Sequence, residues 1–323
     1  MKRHAPLLES AASQAPACAS SQADRLAPTV TPDEYCQDKA ARSGSSFYYS
    51  FLFLPPEKRR AITAFYAFCR EVDDVVDEIA DVGIARAKLD WWRAEVARIG
   101  SPEAQHPVSL ALAPFLVGPE NPEAPVARER LLEVIEGMQM DLDQTRYLDF
   151  AELRRYCHYV AGVVGIVAAR IFGASDPRTL DYAEQLGLAF QLTNIIRDVG
   201  EDARAGRVYL PHDEMQRYGV KVADLRAGTS SPAFVALMQF QADRARDLYA
   251  SALASLPDAD RRNQRPGLIM ATIYRTLLEE VARDDFPVLK HRVALTPLRK
   301  LLLAWRTWVF GVPARIGQGA SRH

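Results

Sequence analysis

The stretch 186–202 restricts what this chain can fold into more than any other. On a helix, Leu186, Leu188, Ala189, Phe190, Leu192, Ile195 and Ile196 cover most of the circumference, and one polar line runs through Gln191, Asn194, Asp198 and Asp202. A helix apolar nearly all round is buried by other helices. A polar line on it must face partners, because unpaired polar groups in a core are costly. The stretch therefore predicts an all-α fold with this helix on the inside.

A second acidic stretch points the same way. In Arg70-Glu71-Val72-Asp73-Asp74-Val75-Val76-Asp77-Glu78, Asp73 and Asp77 stand four apart and share a helix face, with Arg70 and Tyr66 one and two turns earlier. Like charges at that spacing repel. Either pair alone is explained by a solvated acidic face with ordinary salt bridges. Two pairs, each in an apolar helix and each beside an arginine (Arg70, Arg197), point to a divalent cation. Oxygen ligands without His or Cys suit Mg2+, which keeps waters and bridges carboxylates to substrate phosphates. Two such pairs facing one cavity would hold a diphosphate and neutralise it as a carbon–oxygen bond ionises.

Helical periodicity accounts for most of the remaining chain. Thr31-Pro32-Asp33-Glu34 is a helix start, Gly44-Ser45-Ser46 a break, and 47–54 a dense apolar and aromatic run closed by Pro55-Pro56. Helices are expected from Pro56 to about Ile79 and near 83–99, 126–145, 149–172, 177–203, 231–255 and 264–284; 117–126, with three prolines, reads as a loop. The run 160–171 has a strand-like composition, but its length and its small residues Gly162, Gly165 and Ala169 favour close-packed helix. Residues 1–30 read as a disordered tail without a secretory signal, 31–293 as one helical domain, and 294–323 as an amphipathic segment and tail. A formal net charge of −1 argues against nucleic acid as a partner. Cys18, Cys36, Cys69 and Cys157 form no C-x-x-C pair and read as reduced thiols of a cytoplasmic protein. No apolar run approaches the roughly 20 residues of a membrane span.

The two acidic motifs, in this order and at this separation, resemble those of the squalene and phytoene synthases, and the similarity runs from about Tyr35 to Arg292. Ser45-Ser46-Phe47, Tyr66-Ala67-Phe68-Cys69-Arg70, Tyr156-Cys157-His158-Tyr159-Val160-Ala161-Gly162 and Arg207-Val208-Tyr209-Leu210-Pro211 carry it further. Within the family, Ser43-Gly44-Ser45-Ser46-Phe47-Tyr48-Tyr49 and the first acidic motif, with Asp74, are most similar to bacterial presqualene diphosphate synthases of the hopanoid route. The resemblance implies a single-domain helical bundle of the isoprenoid synthase type with a central active-site cavity. It implies head-to-head joining of two farnesyl diphosphates to presqualene diphosphate. Mg2+ would be held by Asp73, Asp77, Asp198 and Asp202, with Asn194 assisting and Gln191 beside it. Arg70, Arg197 and Arg292 would meet phosphate oxygens, and Ser46 matches a phosphate-contacting position. Phe47, Tyr66, Phe190 and Tyr274 would line an apolar tunnel, whose aromatic faces favour carbocations. Tyr159 would handle the proton lost on cyclopropane closure, with Tyr156 three residues earlier as the alternative.

Other readings stay open on the sequence. A phytoene synthase would use two geranylgeranyl diphosphates, a complete squalene synthase would also need NADPH, and a non-catalytic subunit of a hopanoid assembly would need none of the aspartates. Downstream enzymes of squalene formation are expected partners. The segment 298–310 carries Leu298, Leu301, Leu302, Trp305, Trp308 and Val309 on one helical face, with Arg299, Lys300 and Arg306 for charge. It predicts peripheral contact with the inner face of a membrane, or packing of that face on the enzyme body.

Overall fold

Helix ends follow from local chemistry. In the computed structural model, which describes residues 30–42, 46–119 and 121–312, Thr31 caps α1 (Pro32–Arg42) by exchanging hydrogen bonds with Glu34: the Glu34 N–H reaches Thr31 Oγ1 at 3.3 Å and the Thr31 N–H reaches Glu34 Oε2 at 2.8 Å. α2 (Ser46–Phe51) is short, and Pro55-Pro56 then sets the start of α3 (Pro56–Glu78). Asp81 accepts from the Ile84 N–H to open α4 (Val82–Arg98), and α5 (Pro107–Leu112) follows. After a looped stretch come α6 (Arg128–Asp143) and α7 (Phe150–Cys157), the latter capped by Asp149 on the Glu152 N–H. One π-helical turn, His158–Gly162, joins α7 to α8 (Val163–Phe172), which stops at Gly173 in the left-handed region. α9 (Arg178–Arg204) is the longest helix described. The chain ends its described part with α10 (His212–Tyr218), α11 (Val222–Arg226), α12 (Pro232–Ser255), α13 (Asp258–Arg261), α14 (Arg265–Arg283) and α15 (Pro297–Phe310).

The expected all-α fold is what the chain adopts: among the described residues there are isolated bridges but no strand. The run 160–171 is helical, as its small residues suggested, and 117–126 is a turn-rich loop. The single helix expected over 149–172 is divided by the π turn. Cys36, Cys69 and Cys157 are free thiols. The tail 1–29, Cys18, Ser43 to Ser45 and residues 313–323 lie outside the described residues.

Two hydrophobic clusters build the interior. One gathers α9, α12 and α14; the other gathers α3, α4 and α6, and α8 contributes Val163 and Val167 to it. α9 runs between α8, α12 and α14, as its apolar circumference requires. α8 and α9 touch backbone to backbone. A Cβ on Gly187 would lie 2.3 Å from the Ala161 carbonyl oxygen, and one on Gly165 would lie 2.3 Å from that of Ala183. Only glycine permits this crossing. Between the clusters, bounded by α3, α8, α9 and α14, is a cavity.

Candidate active site

The cavity has a volume of about 630 Å³, well inside the usual range for small-molecule sites. Its walls change character along their length. On α3 the lining runs from Ile62 to Asp77, a rise of about 22 Å. On α9 it runs from Tyr182 to Asp202, about 30 Å. Both helices run toward the same end, so the last turns of each deliver Asp73, Asp77, Asp198 and Asp202 to one polar mouth. Ile62, Phe65, Ala168, Phe172, Leu186 and Met270 make the opposite part apolar.

A band of aromatic rings lies between the two ends. Phe47 sits 5.9 Å from Tyr66, 6.4 Å from Phe190 and 6.4 Å from Tyr274, centroid to centroid, and Phe190 is 4.9 Å from Tyr274. The four residues come from α2, α3, α9 and α14, so the tunnel aromatics expected from the sequence do meet around one space.

At the mouth, arginines hold the carboxylates. Arg70 pairs with Asp73, and its other arm reaches Asp74 Oδ1 at 2.5 Å. Lys39 bridges Asp74 and Glu71 at 2.8 Å each, and the Tyr35 hydroxyl donates to Glu71 at 2.6 Å. Asp74 and Glu71 therefore tie α3 to α1, while Asp73 and Asp77 line the cavity. Arg207 donates to Asp77 at 3.0 Å and to the Val76 carbonyl at 3.1 Å. Asp198 is held by Arg197 Nε at 2.7 Å and by Arg292 Nε at 3.0 Å. Asp202 has no ion-pair partner among the described residues. Burial, reinforced by neighbouring Asp198, pushes its carboxyl up to about 7. Burial likewise lifts Asp73 to about 7 against the opposing pull of Arg70.

The donors fit a hard cation. Asn194 Oδ1 is buried with no hydrogen-bond partner among the described residues, while its Nδ2 donates to Gln191 Oε1 at 3.3 Å. A buried amide oxygen left unpaired costs about 1–3 kcal/mol unless a ligand or ion takes it up. Two half-buried carboxyls lifted toward neutrality ask for positive charge in the same place. Among the described residues no three acidic, His or Cys side chains converge enough to hold an ion alone. The donor set thus suits an ion that completes its shell with water and ligand oxygens.

Most residues expected from the sequence come together here. Asp73, Asp77, Asp198, Asp202, Phe47, Tyr66, Arg70, Gln191, Asn194, Arg197, Tyr274 and Arg292 all line the cavity. Ser46 opens α2, but its side chain lies outside what is described. Tyr159 is not among the lining residues. It lies on the π turn against Gly137 of α6, next to the His158 ring. Tyr156 does line the cavity. Its hydroxyl donates to Asp141 Oδ2 at 2.9 Å, and Tyr209 donates to Asp141 Oδ1 at 2.8 Å. The Tyr156 and Tyr209 rings stack at 5.4 Å. Asp141, raised above its ordinary value by burial, was absent from the sequence expectations, and Arg207, Tyr209 and Lys300 were not among the expected site residues; all four line the cavity. The segment Arg207-Val208-Tyr209 stood out in the sequence only as a matching motif; a lone Asp on α6 carried no signal.

Comparison with known proteins agrees with this architecture. A family model described as squalene/phytoene synthase matches residues 40–299. The 15-cis-phytoene synthase of Synechococcus elongatus is 35% identical over 280 residues, covering 83% of this chain and 89% of the relative. The phytoene synthase of Mycobacterium bovis is 38% identical over 262 residues, covering 80% and 84%. Among solved structures, a dehydrosqualene synthase in complex with ligand superposes with a TM-score of 0.73 at 27% identity, covering 86% of this chain and 96% of that one. Squalene synthase HpnC from Alicyclobacillus acidocaldarius superposes with a TM-score of 0.66 at 27% identity, covering 79% and 94%.

Proposed function

The chain belongs to the squalene/phytoene synthase family, and from that footing we propose that it joins two farnesyl diphosphates head to head to form presqualene diphosphate. The observation that carries this reading is the convergence of two carboxylate pairs, from α3 and α9, at the polar end of an aromatic-banded cavity. Asp73, Asp77, Asn194, Asp198 and Asp202 would hold Mg2+. Bound there, Mg2+ would supply the positive charge that lets a diphosphate leave.

The protein's own groups do the rest. Arg70, Arg197, Arg207 and Arg292, which pair with the carboxylates here, are placed to turn to phosphate oxygens. Phe47, Tyr66, Phe190 and Tyr274 present rings to the space where an allylic cation would form. The apolar walls exclude water, which would otherwise capture that cation. On ring closure a carbon–hydrogen bond breaks and its electron pair closes the cyclopropane. Of Tyr156 and Tyr159, it is Tyr156 that lines the cavity: its oxygen would accept that proton as its own hydrogen passes to Asp141.

Farnesyl rather than geranylgeranyl chains are supported by the first acidic motif, with Asp74, and by the 43–49 segment. The dehydrosqualene and squalene synthase names of the structural neighbours point the same way. The phytoene synthase names of the sequence relatives favour the second reading, two geranylgeranyl diphosphates. Incubating the purified protein with each diphosphate and Mg2+, with and without NADPH, separates them. A cyclopropyl diphosphate accumulating from farnesyl diphosphate supports the proposal. Product from geranylgeranyl diphosphate alone establishes the phytoene reading. Efficient conversion to squalene on adding NADPH makes the protein a complete squalene synthase.

A further inference from the structure

We propose that the inner end of the cavity is a hydrogen-bonding subsite for one oxygen atom, supplied by a hydroxyl on the tail of a prenyl diphosphate or by a water beneath an unmodified tail. Tyr182 and Gln264 carry the inference. Both line the cavity, and both are 1% exposed. Tyr182 stands sixteen residues before Asp198 on α9, which puts it about 24 Å from the polar mouth by helical rise. Leu186, one turn along α9, and Ala168 and Phe172 of α8 make the lining of that end apolar. The Tyr182 hydroxyl nevertheless finds no hydrogen-bond partner among the described residues. A buried hydroxyl left unpaired costs free energy that phenylalanine in its place would avoid. The oxygen on this ring therefore marks a place where a partner is taken up.

The surroundings supply the other half of the pairing. Gln264, just before α14, donates from Nε2 to the Ala169 carbonyl at 3.0 Å, which fixes its carboxamide and leaves Oε1 to accept. Three residues on, Gly267 keeps the tyrosine's place open: a Cβ there would lie 3.0 Å from the Tyr182 hydroxyl. The site thus adjoins the start of a 19-residue helix, whose first N–H groups lack intrahelical acceptors and are partly positive. A hydroxyl or water here could accept from Tyr182 and donate to Gln264, which an alkyl group cannot do. The group it takes is neutral. Every Lys and Arg that lines the cavity stands at the mouth, so an anionic tail end would have no counter-charge. Nearby Asp260 is already taken by Ser175, Thr179 and two backbone N–H groups, so a cationic one would have none either. This inference deepens the proposed reaction and rests on its reading of the cavity as a prenyl diphosphate site.

The test compares non-hydrolysable farnesyl and geranylgeranyl diphosphate analogues, each with and without a hydroxyl on a terminal methyl, by calorimetry of the full chain with Mg2+. Wild type should bind the hydroxylated form of the chain that reaches Tyr182 at least as tightly as its parent. Tyr182→Phe removes only the oxygen and should prefer the parent, shifting the ratio of the two dissociation constants at least tenfold. The length at which the shift appears tells which tail reaches the floor. Water is read separately, in crystals without ligand and with the unmodified farnesyl analogue. An ordered oxygen within hydrogen-bond distance of Tyr182 Oη in wild type, lost in Tyr182→Phe, assigns the site to water where the ratio does not shift. No shift together with no such oxygen, or with one that stays in the variant, overturns the proposal. If neither parent analogue binds, the prenyl diphosphate reading has failed, and the ligand-free crystals still decide whether the floor holds an oxygen. If the variant does not fold, wild type decides alone: a tenfold or greater loss on hydroxylation at both lengths, with no ordered oxygen at Tyr182, overturns the subsite.

Discussion

Single side chains at the mouth carry separable consequences. Asp73→Asn or Asp198→Asn removes a ligand charge with almost no change of shape, so turnover should fall on the order of 100-fold or more while the helical circular dichroism stays that of wild type. Full turnover after exhaustive chelation would contradict the metal reading. The lifted carboxyls also tie stability to pH. Asp202, with an ordinary value of 3.8, reaches about 7 when folded, so folding takes up a proton there. Its contribution is fully present below about 4 and is lost as pH rises through 7. In metal-free urea titrations Asp202→Asn should be more stable than wild type at pH 8 by roughly 1–2 kcal/mol after allowance for solvent screening, and the gap should close toward pH 4. Asp260 behaves oppositely: despite burial, hydrogen bonds from Ser175, Thr179 and backbone N–H groups hold it at about 2. Its contribution is lost only as pH falls from 3.8 through 2, so the two windows do not overlap. At the far end, the Tyr182 hydroxyl is buried without a partner among the described residues and stands 3.0 Å from where a Cβ on Gly267 would be. Tyr182→Leu should deepen the tunnel and shift the ratio of kcat/KM toward geranylgeranyl diphosphate about tenfold or more; an unchanged ratio means depth is set elsewhere. The acidic lines and the aromatic band were legible because each repeats at helical spacing. Asp141 was not, since its partners Tyr156 and Tyr209 come from distant parts of the chain and only folding puts three groups into one hydrogen-bonded unit.

At the scale of elements, the crossing of α8 and α9 is the tightest feature near the site. Gly187→Ala would press a methyl against the Ala161 carbonyl, which is backbone and cannot rotate away. Urea unfolding should show a loss of about 1–3 kcal/mol, whereas Gly118→Ala, with nothing within 4 Å of the new Cβ, should be close to neutral. Equal stabilities would mean the crossing relaxes freely. The long helices were readable from apolar periodicity, and the start of α1 from its cap at Thr31. α5, α10, α11 and α13 were not, because four to seven residues are too few for a period to show. The π turn at His158–Gly162 was equally hidden: its residues suit an α-helix, and it moves Tyr159 away from the cavity while Tyr156 stays on it. A family motif that contains both tyrosines cannot tell them apart.

For the whole molecule, the sequence points to α9 as the central helix, since its long run is apolar over most of its circumference apart from one polar line. It does not specify the depth of the space beside that helix, which depends on how two hydrophobic clusters drawn from distant segments close upon each other. The shared direction of α3 and α9 has an electrostatic consequence of its own. Phosphate sites are commonly built on helix N-termini, whose exposed N–H groups are positive. This mouth is the opposite kind. It sits where two helices end, each with a macrodipole worth roughly half a negative charge, added to four aspartates. A bare diphosphate approaching it meets these helix ends and must compete with the carboxylates for Arg70, Arg197, Arg207 and Arg292. Nucleotides and free pyrophosphate, which carry the same head group, would then bind poorly unless they arrive with cations, and under the proposed reaction a prenyl tail must also fill the apolar part. Calorimetry should find no measurable binding of a non-hydrolysable farnesyl diphosphate analogue without Mg2+, and strong mutual enhancement when both are present. Tight binding of the analogue to the metal-free protein would show that the arginines alone overcome the field. The polarity of two helices would thus act as a filter, admitting the substrate only as a neutralised pair of head group and ion.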